Sequence, residues 1–341
     1  MPDMPGMRKV GFTTHNALTL WQWDPFSLVV AAALIVLASW YLRADWELAS
    51  RGRRWPGGRT LAFLAGLVVV DAALQSPVAT FANSYFQAHV VQHLLLMVAA
   101  PLLLALGAPS TLLLQTASRQ TKTGWLKILR SRPFMVVSNP AVAWFFYIGV
   151  MFVFFLTPLI NVAMLHVPLM DVFNLAFLMG GCLYWWPIID VDPIAHWRMG
   201  YGAKMLNVLV GGFPDVLIGL AIISARAPIA SMYTLASTHA GGGLLWTSTE
   251  FVSLFGCVPI LLQWMHSDDR ANARQAVKDS RNASPVATLE TLTPGLQTVG
   301  AGQQMTAWEE AWLARTGTLP TQDAADGHPA AGNETAGHHR S

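Results

Sequence analysis

Charge is what this chain has least of. Charged residues make up 12% of its 341 residues, while 53% are hydrophobic. Soluble domains carry about a quarter charged residues. That shortfall argues against a water-soluble enzyme and against a nucleic-acid binder. Lys+Arg number 21 and Asp+Glu 19, so no excess of one sign points to an acidic or basic partner. Cysteine is almost missing. Cys182 and Cys257 each sit in an apolar run with no CxxC pairing, which excludes a disulfide scaffold and a thiolate-pair metal site and leaves both as packing residues. The first 24 residues lack the apolar stretch of a cleavable signal. No Walker loop, dinucleotide fingerprint or HExxH occurs. The last long apolar run holds no lysine for a retinal Schiff base.

What the chain has instead is long apolar runs. A membrane-spanning helix needs about 20 mostly apolar residues. Seven windows meet or approach that: 25–42, 60–77, 85–106, 140–159, 168–189, 206–224 and 243–265. The backbone of a lipid-exposed segment must satisfy its own hydrogen bonds, so all seven are expected to be helices. The expectation is an all-α, polytopic membrane bundle. Residues 1–24 form an extracytoplasmic segment, 25–265 the seven-helix domain and 266–341 a mostly disordered cytoplasmic tail. Within that tail, residues 305–315 suit a short transient helix. His338 and His339 lack a third ligand that would make a metal site.

Basic residues set the orientation. Arg43, Arg51, Arg53, Arg54 and Arg59 follow the first window. Arg119, Lys122, Lys127, Arg130 and Arg132 follow the third. Arg198 and Lys204 follow the fifth, and Arg270, Arg274, Lys278 and Arg281 the last. The alternate segments hold Arg8, Lys9 and Arg226. Cytoplasmic loops carry the excess of Lys and Arg, which predicts N-out, C-in. Trp21, Trp23, Trp185, Trp186 and Trp264 fall near window ends, where interfacial anchors sit.

Ionisable residues inside spans are costly and mark functional sites. At 1.5 Å per residue, Asp171 lies about 5 Å below the outer boundary, His89 about 6 Å and Asp71 about 9 Å. Glu250 lies about 10 Å down, His93 about 12 Å and Asp215 about 14 Å. His166 and His239 sit in the outer loops just above, while His196 and His266 belong to the inner face. The group therefore gathers in one leaflet, with Asp215 deepest.

The sharpest pattern within it is HVVQH, His89 to His93. Positions i and i+4 share a helix face. Two imidazoles there either chelate one metal ion or bond to neighbouring helices, and Met97 continues the stripe. Imidazole suits copper, zinc and iron, and thioether suits Cu(I). GGFPD, ending at Asp215, suggests a broken helix. Gly241–Gly243 beside His239 allow a sharp bend. Asp190 and Asp192, ahead of Pro193, suit a turn and a helix cap. Asp171 and Glu250 need partners, for which Arg226 or a protonated histidine would serve.

These residues carry a resemblance. Ser76–Pro109 (SPVATFANSYFQAHVVQHLLLMVAAPLLLALGAP) resembles the signature of the multi-pass CtaG family of cytochrome c oxidase assembly factors. Gly181–Pro193, Gly241–Glu250 and Gln263–Arg274 resemble further motifs of that family, so the resemblance covers roughly residues 20–280. It implies a non-enzymatic protein of the bacterial plasma membrane that assists copper delivery to a haem–copper oxidase. The implied partners are oxidase subunits or other assembly factors, besides the bilayer, and no nucleic acid. The family's HxxQH positions are matched by His89, Gln92 and His93; on this reading His89 and His93 would hold copper, with His166 or His239 completing the shell. Asp71, Asp171 and Glu250 would orient imidazoles or balance charge. Where relatives carry further histidines in the fifth span, this chain has Met170, Asn174 and Ala176. Where relatives show Asp-Gln before the glycines, it has Ser237, Thr238 and His239. The residues also suit a proton- or ion-coupled transporter using Asp71, Asp215 and Glu250, or a metal-free scaffold.

The orientation is directly testable. A reporter fused after the tail should be cytoplasmic, and one inserted between Ile160 and Val167 should lie outside. The reverse labelling would remove the outer-leaflet placement of the histidines.

Overall fold

The computed structural model describes residues 19–192 and 199–282, together with Thr13, His15, Leu313 and Gly317. The chain divides into two compact units, Met1–Arg270 and Ala271–Ser341. Most of the expected tail, including His338, His339 and all of 305–315 but Leu313, falls outside the described residues.

Among the described residues all regular structure is helical. Helix α1 is Pro25–Ser50, α2 Gly57–Gln75 and the short α3 Pro77–Ala82. Helix α4 (Phe86–Leu94) passes through a π turn (Leu95–Ala99) into α5 (Ala100–Leu106) and α6 (Pro109–Thr116). Then come α7 (Arg119–Leu129), α8 (Arg132–Val137), α9 (Pro140–Leu156), α10 (Leu159–Leu165) and α11 (Val167–Ile189). Helix α12 (Tyr201–Gly211) and α13 (Phe213–Ile223) precede the long α14 (Leu235–Asn282). Six helical stretches are long and apolar enough to cross a membrane, or seven if the pair α9–α10, bent by 78°, is one span. The chain is thus a multi-pass membrane protein, and each expected window holds a helix. The expected break before Asp215 falls at Gly212.

The stretch Phe86–Thr116 is the most buried, and its neighbours are held by carbonyls that cannot bond within their own helix. Pro101 has no N–H to return to the carbonyl of Met97, one turn earlier. The indole N–H of Trp185, on α11, donates to that carbonyl at 3.1 Å. Gly181, one turn before Trp185, makes the approach possible, because a Cβ there would collide with the Met97 carbonyl and Pro101. Pro77 likewise leaves the carbonyl of Ala73 without its helical donor, and Gln92 Nε2–H donates to it at 2.9 Å. The neighbouring end of α2 is closed by the Ser76 hydroxyl donating to Ala72 and the Gln22 N–H donating to Gln75 at 2.8 Å. The helix-end carbonyls named here are therefore matched one by one.

The opposite end is fastened by carboxylates. Asp192, 2% exposed, accepts from the Ser110 and Thr111 N–H groups, the Thr111 hydroxyl and the Trp186 indole. It caps α6, whose N-terminal donors and dipole favour an anion. Asp190 closes α11 in the left-handed region (φ 49°) and pairs with the buried Lys204 at 3.1 Å. Tyr41 stacks on Phe63 with ring centroids 4.2 Å apart and donates to the Gly107 carbonyl at 2.7 Å.

Three local expectations fail. Trp185 is no interfacial anchor: it is buried, committed to Met97 on one side and covered by Gly256 on the other. Gly241–Gly243 make no sharp bend, since α14 runs straight through them as helix. Gly242 serves close packing instead, because a Cβ there would lie 3.0 Å from the Gly219 carbonyl of α13. Nor do Asp171 and Glu250 form an ion pair among the described residues.

Trp185→Phe keeps an aromatic group, smaller than the indole, and removes the donor. It should destabilise the bundle by about 1–3 kcal/mol, the range for a buried carbonyl left unpaired. A lower melting temperature in detergent would show it, and an unchanged one would mean that another donor reaches Met97.

Candidate functional site

Helix α4 begins where Tyr85 leaves the helical region, and its first N–H groups need acceptors. Ser237 of α14 provides one: the Phe86 N–H donates to its hydroxyl oxygen at 2.8 Å. That hydroxyl in turn donates to Gln87 Oε1 at 2.6 Å. Tyr233 donates to the Ala82 carbonyl at 2.7 Å. These bonds fix the start of α4, and the i, i+4 spacing then turns His89 and His93 the same way.

Both imidazoles are buried, each 1% exposed, and their ring centroids lie 4.4 Å apart. Aromatic rings enclose them. Phe154 lies parallel to His89 at 5.6 Å. Phe177 meets His93 at 4.0 Å, and Phe155 meets it at 5.2 Å. Tyr233 stands 6.2 Å from His89. Three buried ring nitrogens have no hydrogen-bond partner: His89 Nε2 and both nitrogens of His93. Leaving such a group unpaired costs about 1–3 kcal/mol. Gln92, between them on the same helix, donates through its amide to the Ala73 carbonyl. Within the motif, Gln92 thus has a bond to another helix, while three of the four imidazole nitrogens are buried without one.

The π turn starts two residues after His93. It holds Met97 and sets a local break in the α-helical hydrogen-bond pattern. Met97 is buried, and its carbonyl is the acceptor for Trp185.

His89 also borders a cavity of about 370 Å³. Asp24, Met164, Met170, Asp171 and Asn174 line it too. Asp24 caps α1, and the Ser27 hydroxyl above all, then the Ser27 and Phe26 N–H groups, hold its carboxyl below the usual carboxylate range. Asn174 Oδ1 is buried without a partner. Met170 and Asn174, positions singled out by the sequence resemblance, therefore share a cavity with His89. Neither the cavity nor its methionines were evident from the sequence, because α1, α10 and α11 contribute them from distant segments.

The remaining predicted residues are placed as follows. His166 is exposed at the junction of α10 and α11. His239 is half-buried, with Nε2 2.9 Å from the Ala225 carbonyl. Asp71 and Asp171 are half-buried and Glu250 is exposed. Asp215 is buried, with one carboxylate oxygen unpartnered. The structure brings His89 and His93 together and sets Asp171 on the cavity that His89 borders. Among the described residues no three His, Cys, Asp or Glu side chains group closely enough to hold a metal ion.

Known relatives give this arrangement a family. Uncharacterized proteins of Mycobacterium bovis and Mycobacterium tuberculosis are 27% identical to the chain over 285 residues, covering 77% of it and 42% of their own length. One of Mycobacterium leprae is 26% identical over 284 residues, with 78% and 42% covered. The chain therefore spans less than half the length of these curated relatives. No solved structure matches it. The family model "Cytochrome c oxidase caa3 assembly factor" matches residues 39–267, which takes in the histidine pair, the π turn and all the helices around them, and the chain belongs to that family.

Proposed function

We propose that the protein assists assembly of a haem–copper oxidase in a bacterial plasma membrane by holding copper at His89 and His93. The observation that carries this reading is the pair of buried imidazoles 4.4 Å apart with three unpartnered nitrogens. Rings that close allow one ion to touch both at metal–nitrogen distances of about 2 Å. Copper here is cargo, so the protein acts as a carrier and not as an enzyme. A two-histidine site suits release, because the ion keeps positions open for the next ligand. The π turn beside His93 supports the same reading, since π turns recur at functional sites.

The bordering cavity is the proposed route. Asp24 and Asp171 supply negative charge, and Met164 and Met170 supply thioethers, which favour Cu(I). His166, next to the cavity-lining Val167, is the first candidate to complete the shell. His239 would have to release the Ala225 carbonyl to do so. Asp71 and Glu250 act by charge balance. With basic loops inside, the cavity opens to the outer face in the N-out, C-in arrangement.

A metal-free scaffold is the second reading, favoured by the lack of a third grouped ligand among the described residues. Two measurements separate the two. Purified wild type supplied with reduced copper should bind one ion, and either His89→Ala or His93→Ala should lose most of the affinity, because the chelate is gone. His266→Ala should bind as wild type. Equal stoichiometry in wild type and the double variant would refute the ligand assignment, and no copper in wild type would favour the scaffold. Stability should move the other way. His89→Leu and His93→Leu remove unpaired polar atoms from an aromatic setting, so melting temperatures should hold or rise. A fall of several degrees in both would mean that the imidazoles serve packing.

A further inference from the structure

The chain carries a second cavity, at the end of the bundle that holds Asp192 and the short helices α7 and α8. Its volume is about 340 Å³ and its lining is almost wholly apolar. Trp40 of α1, Leu113 of α6, Trp125 and Leu129 of α7, Phe134 of α8 and Trp186 of α11 form most of its wall. The side chains with polar atoms on that wall include Ser110, Ser138 and Trp125. The indole Nε1–H of Trp125 is buried and has no hydrogen-bond partner.

The elements that close this cavity are the basic ones. Residues 107–139 contain Arg119, Lys122, Lys127, Arg130 and Arg132 and not one Asp or Glu. Among the described residues none of the five has a carboxylate within ion-pair distance. Ser118 caps α7, and the helix is amphipathic: Lys122, Trp125 and Leu129 stand at i, i+3 and i+7 on one face. That face presents Trp125 and Leu129 to the cavity, and Lys122, half-buried, lies one turn before them.

We propose that this cavity binds an anionic phospholipid of the surrounding bilayer. One acyl chain occupies the aromatic-lined space. The phosphate accepts from the Trp125 indole N–H and is neutralised by Lys122 and its basic neighbours. Charge complementarity selects this occupant. A neutral lipid would fill the apolar space and leave five cations unmatched, and an apolar partner helix would do the same. Basic pockets between membrane helices recognise anionic headgroups in this way. The inference uses nothing of the histidine pair and stands apart from the copper proposal.

The test uses the full chain in phosphatidylcholine vesicles containing a minor fraction of phosphatidylglycerol with a photoactivatable acyl chain. Adducts should map to the peptides around Trp125–Ser138 and Met179–Pro187. Excess unlabelled phosphatidylglycerol should suppress them, and excess phosphatidylcholine should not. The combined variant Lys122→Gln, Lys127→Gln, Arg130→Gln should lower adduct yield at least about tenfold. Trp125→Phe, which removes the indole N–H and keeps an aromatic group, should lower it several-fold. Equal labelling by a phosphatidylcholine analogue would overturn the proposal, as would adducts confined to other helices or undiminished labelling of the combined variant. The wild-type competition depends on no variant, so a substitution that unfolds the chain leaves the result decisive.

Discussion

A backbone carbonyl inside a bilayer has no water to turn to, and this bundle is organised around that constraint. Proline creates the problem at two places, Pro101 within the third span and Pro77 just after the second. Each freed carbonyl takes its donor from a different helix, Trp185 for Met97 and Gln92 for Ala73. Those two bonds tie the Phe86–Thr116 stretch to α11 on one side and to α2 on the other. Gly181 and Gln92 serve them, one by removing a side chain and one by reaching across. Once α4 is held in this way, His89 and His93 have no choice but to face Phe154, Phe155 and Phe177.

That satisfaction makes the exceptions informative. Where the bundle needs a donor for an orphan carbonyl, it places one within about 3 Å. The same helix then leaves three imidazole nitrogens unpaired one turn apart. A purely architectural histidine would be expected to use at least one nitrogen as a bond, as His239 does with Ala225 and His266 does with Leu262. His89 and His93 use their rings for packing and keep their nitrogens uncommitted. The contrast between the Gln92 bond to Ala73 and the three unpartnered imidazole nitrogens beside it gives the copper proposal its physical basis.

Much of this was legible in the sequence, for reasons that also explain what was not. Apolar length alone located the helices, because hydrocarbon thickness fixes it. The break before Asp215 was visible in its glycines and proline. The histidine pair was visible because i, i+4 geometry is local. The Phe154, Phe155 and Phe177 enclosure was not, since it depends on how α9 and α11 pack on α4. Trp185 looked like an anchor because its position near a span end is a statistical cue, while its real role depends on Pro101, distant in sequence but packed beside it through Gly181. Gly242 looked like a hinge because glycine permits bends, yet close helix packing also requires it. The α7–α8 segment went unremarked except for its charge, although Ser118 and the apolar spacing of Trp125 and Leu129 were there to be seen.

The two cavities differ in a way that follows from their linings. The one at the Asp24 end combines a carboxylate held anionic, a second carboxylate, thioethers and an imidazole, a set that stabilises a cation and repels an anion. The one at the Asp192 end joins an apolar interior to five unpaired cations and an unused N–H, a set with the opposite preference. Yet both ends use the same economy of carboxylates. Asp192 is spent on the N-terminus of α6 and Asp190 on Lys204, so these two acids near the basic segment are consumed by structure. Asp24 also caps a helix, but it does so at the cavity rim, and Asp171 has no ion-pair partner at all among the described residues. The uncommitted charge beside the histidine pair is therefore negative, and that carried by α7 and α8 is positive. A chain with a formal charge of only +2 thereby offers two sites of opposite sign.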